Sequence, residues 1–109
     1  MANHVFLLTY SVSPANDDHR EHQALAVSLR QKLNRVEIED WVKLSSVETS
    51  FSGHMYLNES IVAKKRQEAQ DIAWNQFKEV MDSLSAYRGT IVSIALMVQG
   101  LGEHIEFTI

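Results

Sequence analysis

Polar and apolar residues follow two rhythms along this chain. "HVFLLTYSV" (4–12) is a near-continuous run of apolar, β-branched and aromatic residues, ended by Pro14 and Asn16. Such a run predicts a central strand buried on both faces. From residue 17 to 36 the rhythm becomes helical. Leu25, Leu29, Leu33 and Val36 form a stripe with Ala26 beside it, and Arg20, Gln23, Arg30, Gln31 and Asn34 lie opposite. This spacing predicts an amphipathic helix with one buried face. Asp18 is placed to cap it, with Glu21 three residues on as a capping-box partner.

The next stretch changes parity. Apolar side chains fall at Val42 and Leu44, then at Val47 and Phe51. A strand with one buried face keeps one parity. Two accounts are open: a β-bulge or bend at Ser45-Ser46, or two strands, 36–44 and 46–51, meeting at a kink. "SGHMYLNES" (52–60) reads as a connection that turns at Gly53.

Ala69, Ile72, Ala73, Phe77, Val80, Met81 and Leu84 keep three-four spacing and predict a second helix over 69–84. With Asn58 as cap and Leu57 stapled to Val62, it would run over 59–86, about 42 Å at 1.5 Å per residue. The alternative is a shorter helix starting near Lys65. The long form would overhang a domain whose expected radius of gyration is about 13 Å. Trp74, Phe77 and Met81 on the overhang would then form an interface with a second subunit. "TIVSIALMV" (90–98) predicts a strand with Val92, Ile94, Leu96 and Val98 on one face. "QGLGE" is a glycine-bearing turn. "HIEFTI" (104–109) alternates as a closing strand.

A chain of 109 residues with 45% hydrophobic and 22% charged content predicts one folded domain over 1–109. Two helices must cover one face of a four- or five-stranded, mainly antiparallel sheet. The expected architecture is an α+β, ferredoxin-like sandwich, with the first and third apolar runs at the sheet's centre.

The plan resembles that of the small Cas2-like proteins and the related SinR-like proteins. The likeness is carried by an apolar first strand ending near a tyrosine, "LLTYSV", and by a Ser-Val-Glu run in a kinked strand pair, "SSVETSF". It covers the first half and the overall element order. It implies a homodimer and work on nucleic acid, as an integration partner or a metal-dependent nuclease. The family's metal-binding aspartate at the end of the first strand has no counterpart here, where Ser11 follows Tyr10. A hydroxyl does not replace a carboxylate as a Mg²⁺ ligand. No catalytic residue is carried across.

Charge and candidate chemistry refine this picture. The net charge of −4 disfavours a nucleic-acid partner. The chain has no cysteine, which suits a cytoplasmic location. No apolar stretch reaches the ~20 residues of a membrane span, and the first residues lack the basic lead-in of a signal peptide.

Asp18, His19 and His22 have helical spacing that could hold a divalent metal such as Zn²⁺. The competing reading is a polar first turn that suits the helix dipole. Lys64, Lys65 and Arg66 could contact phosphates, although Glu68, Asp71 and Glu79 on the same helix suggest a solvated mixed-charge face. Ser45, Ser46 and Thr49 have no G-x-S-x-G elbow around them. The sequence therefore supports a non-enzymatic interaction or regulatory module without a cofactor, acting as a cytoplasmic homodimer. The alternative is a Cas2-like nucleic-acid-binding protein that uses a divalent metal.

Overall fold

A computed structural model describes residues 2–109. The elements are β1 (Ala2–Pro14), α1 (Arg20–Arg35), β2 (Trp41–Lys43), β3 (Ser50–Leu57), α2 (Val62–Ser83), β4 (Thr90–Val98) and β5 (Ile105–Thr108). The strands form one sheet in the order β2-β3-β1-β4-β5, antiparallel at every pairing. The helices pack on one face of it, giving an α+β, ferredoxin-like sandwich with β5 added beside β4. Among the described residues no helix is long and apolar enough to cross a membrane.

The core lies between the helices and one side of the sheet. β1 contributes Phe6, Leu8, Tyr10 and Val12, and β4 contributes Val92, Ile94, Leu96 and Val98. The helices answer with Ala26, Leu29 and Leu33 from α1 and Ala69, Ala73, Phe77, Val80 and Met81 from α2. Most of each predicted stripe is therefore buried, while Leu25 and Val36 of the first and Ile72 and Leu84 of the second are only partly buried at the core's margin. β1 is central, but only one of its faces is covered. Val5 and Leu7, within the same apolar run, are 47% and 49% exposed. The continuous run marked the strand's central place correctly and overstated its cover, because both helices lie on the other side.

The parity change is resolved by two strands rather than a bulge. β2 is only Trp41–Lys43, and Ser45-Ser46 lie in the six-residue loop, 44–49, that leads to β3. That loop is tied down at both ends: Leu44 N–H donates to the Ser50 carbonyl at 3.0 Å, and Tyr10 N–H donates to the Thr49 carbonyl at 2.9 Å. The predicted connection "SGHMYL" is most of β3 itself. Gly53 lies in mid-strand opposite Trp41, not in a turn. Its glycine character comes from a close approach. A Cβ there would lie 2.1 Å from the Asp40 carbonyl oxygen, where Asp40 turns the chain into β2 at φ 66°.

The helix ends also differ from expectation. Asn16 controls the start of α1: its side-chain oxygen accepts from Asp18 N–H at 3.0 Å, and its carbonyl accepts from His19 N–H at 3.1 Å. This turn delays the helix to Arg20 and leaves His19, not Asp18, at the cap. α2 begins at Val62, between the two expected starts. Its 22 residues span about 33 Å, within the 45 Å long axis of the molecule. The Glu68 carboxylate reaches back to the N–H groups of Asn58 and Glu59 at 2.9–3.1 Å and fixes the chain ahead of the helix.

The Gly53 contact makes a direct stability prediction. Gly53→Ala forces the β2–β3 crossing apart and should cost about 2 kcal/mol, the scale of overpacking at a rigid site. Urea denaturation measures this; an unchanged midpoint would contradict the close approach.

Candidate functional site

Among the residues singled out from the sequence, the structure brings some together and redirects others. His19 and His22 do meet. Their rings stack with centroids 4.1 Å apart at 27°, and His22 Nδ1 is buried without a hydrogen-bond partner. Asp18 does not join them. The helical spacing assigned to it fails because the helix starts at Arg20. Stacked rings also hold their in-plane lone pairs side by side rather than aimed at one point. Among the described residues, no three His, Asp or Glu side chains are gathered to hold a metal ion.

The basic cluster is divided. Arg66 donates to the carbonyls of Leu101 and Glu103 at 2.7 and 2.5 Å, clamping the turn between β4 and β5 onto α2. Lys64 is exposed and Lys65 half-buried. On α1, Arg30 is similarly engaged, donating to the Val12 carbonyl through both Nε and Nη2. The proposed helix interface is also corrected. Phe77 and Met81 are buried in the chain's own core, because α2 lies along the sheet and does not overhang it. Trp74 alone of the three keeps solvent contact, with Lys78 over its ring at 5.8 Å.

Two further features lie largely outside those candidate residues. The first is an aromatic cluster on the core side. Trp41 bridges Phe6 and Phe51 at 4.9 and 5.6 Å, and Tyr10, Phe51 and Phe77 meet one another at 5.3–6.2 Å. Lys43 closes this cluster at the sheet edge. Its ammonium lies over the Tyr10 ring at 4.5 Å and the Phe51 ring at 4.6 Å, and it donates to the Tyr10 hydroxyl. Burial pushes the Tyr10 phenol up to about 12, and the Glu48 carboxylate adds to this. Burial pulls the Lys43 ammonium below its usual value, against the opposing pull of Glu48. The two rings also favour the charged ammonium. This pair fastens β2 and the 44–49 loop to the core.

The second feature is the face of the sheet that no helix covers. The register places Val42, Ser52, Leu7 and Met97 in one row across β2, β3, β1 and β4. Leu7, Val42 and Met97 are about half exposed or more, as are Val5 and Tyr56 toward the same end. The other end is a hydroxyl surface. Ser11, Ser93 and Thr108 form a row across β1, β4 and β5, with Thr9, Ala95 and Glu106 in the next. They line a shallow trough of about 500 Å³. Among the described residues, the strands place no Lys, Arg or Asp on this face; Glu106 is its one carboxylate and His54 its one β3 imidazole.

The trough lacks the parts of a nucleophilic site. Glu106 pairs with His104 at 2.9 Å, but no histidine is hydrogen-bonded to any of the trough hydroxyls among the described residues. A serine needs an adjacent base to attack. The surface thus offers apolar contact at one end and neutral hydrogen bonding at the other. A subtle sign in the sequence pointed to it: Leu7 and Met97 interrupt what would be polar positions on half-buried strands.

The Tyr10 phenol carries a pH prediction. Its folded pKa lies above its unfolded value of 10.0, so the folded chain holds a proton that the unfolded chain releases. The stability it supports is fully present below about pH 10 and is lost as pH rises towards about 12. Tyr10→Phe should cost about 1 kcal/mol near neutrality through the lost hydrogen bond. It should also flatten the alkaline decline. Equally steep declines in both proteins would refute this role. Comparison with protein-family models, with curated proteins and with solved structures gives no match to this chain.

Proposed function

We propose that this chain is a non-enzymatic protein-interaction module of a regulatory kind, working as a cytoplasmic homodimer. The observation that carries this reading is the uncovered sheet face. It is wide and half apolar, and among the described residues its strands place no Lys or Arg on it. Proteins seldom leave a cluster of large apolar side chains such as Val5, Leu7, Val42, Tyr56 and Met97 bare on one face unless something docks there. The absence of cysteine from the sequence fits the reducing cytoplasm.

The candidate reactive groups also favour an interaction role. The hydroxyl-lined trough has no base bonded to its hydroxyls, and the stacked histidines lack Asp18 as a third ligand. Binding nucleic acid requires several cations along the phosphate path. Arg66 and Arg30 are occupied by backbone carbonyls, and the uncovered face supplies none.

Light scattering on the full chain at tens of micromolar should give twice the 12.4 kDa chain mass. Fluorescence anisotropy with labelled DNA and RNA at low salt should show no association. Binding that weakens steeply as salt is added would overturn the proposal in favour of a nucleic-acid protein. A monomer mass would remove the homodimer.

A further inference from the structure

We infer that the homodimer forms by stacking the uncovered sheet faces of two copies, with the apolar end around Leu7 and Met97 at the centre of the contact. This inference rests on the homodimer reading and assigns its surface.

Area is the first argument. The five strands, of 13, 3, 8, 9 and 4 residues, at about 3.3 Å per residue and about 4.8 Å between strands, present a face of roughly 600 Å² before side-chain relief is added. A stable interface needs about 800 Å² of accessible surface per partner. The face as a whole is therefore of the right size, whereas no single exposed helix stripe is. Among the described residues, Val27 on α1, Val47 in the 44–49 loop and Tyr87 on the 84–89 turn are exposed singly, and Ile61 with Val62 at the start of α2 makes only a two-residue patch.

Charge is the second argument, and it selects a second copy as occupant. Two chains of net charge −4 repel one another. They can meet closely only where that charge is absent. The uncovered face is such a place: its central strands, β1 and β4, present Val5, Leu7, Thr9, Ser11, Ser93, Ala95 and Met97, all uncharged. Among the described residues its one carboxylate, Glu106, lies on the edge strand β5, at the rim, where it pairs with His104. An oppositely charged partner would find only the rim carboxylate of Glu106 to read. A copy of the same face matches it apolar to apolar.

Geometry is the third. The side chains of the row Val42–Ser52–Leu7–Met97 project from a twisted antiparallel sheet. Two such sheets stack about 10 Å apart, with strand directions near 30° to each other. Stacking also completes the burial that the apolar run of β1 calls for. Leu7 then becomes a core residue of the dimer, as Leu8 is of the monomer.

The test has two arms. In the first, the double variant Leu7→Lys/Met97→Lys and its counterpart Leu7→Glu/Met97→Glu should each be monomeric by light scattering. Mixed, they should dimerise again, which also shows that both are folded. Val27→Lys on α1 should leave the dimer intact. In the second arm, the unaltered chain is oxidised by hydroxyl radicals at rising concentration. Met97 and Tyr56 should be protected severalfold as the dimer forms, while Tyr87 on the 84–89 turn stays equally reactive.

If the unaltered chain is dimeric but both double variants remain dimers, or if Met97 and Tyr56 gain no protection, this inference is overturned and the homodimer reading stands. If the unaltered chain is a monomer throughout, both fail together.

Discussion

Everything in this molecule follows from one asymmetry: two helices are available, and both pack on the same face of the sheet. The even-numbered residues of β1, from Phe6 to Val12, are sealed beneath α1 and α2, while the odd-numbered ones look outward. Because strand side chains alternate, an apolar central strand supplies greasy groups to both sides at once. Covering one side with helices gives the chain a core. The other side then carries Val5 and Leu7 to solvent on the strand with the most neighbours. That residual surface, and not a cluster of reactive groups, is the feature that calls for a functional account.

The covered side is held by more than aliphatic packing. Tyr10, Phe51, Phe77, Trp41 and Phe6 form a connected aromatic cluster joining β1, β2, β3 and α2. Lys43 lies at its margin, over two rings and against the Tyr10 hydroxyl. This explains how a strand of three residues can persist at the sheet's edge. β2 has few ladder hydrogen bonds of its own, and its two inward side chains, Trp41 and Lys43, anchor it. Val42, between them, projects onto the uncovered face. The same short strand therefore serves the core with two side chains and the outer surface with one.

Much of the fold was legible in the sequence. Leu29 and Leu33 on α1, and Ala69, Ala73, Phe77 and Met81 on α2, kept helical spacing and are buried as that spacing requires. β4 matches its apolar run, 90–98, from end to end. What misled was local chemistry overruled by tertiary contacts. Gly53 read as a turn because glycine usually marks one; here it admits the Asp40 backbone into the sheet. Asp18 read as a cap, but Asn16 closed the preceding turn first. Arg66 read as part of a basic patch, and its reach to the Leu101 and Glu103 carbonyls depends on where the β4–β5 turn folds back. That one face of the sheet stays open followed from two helices covering the other; which residues of β1 it carries was the least legible feature. Whether Leu7 is outside or inside depends on which side both helices choose, and periodicity along one strand does not encode that choice.

The central claim is that the uncovered face is closed by a second copy of itself. The most direct measurement is an isotope-filtered nuclear Overhauser experiment on a mixture of labelled and unlabelled chains, which detects only contacts between molecules. The account predicts cross-peaks between chains from the methyl groups of Val5, Leu7 and Met97. Intermolecular contacts confined to the helical side, or none at concentrations where the chain is dimeric, would contradict it.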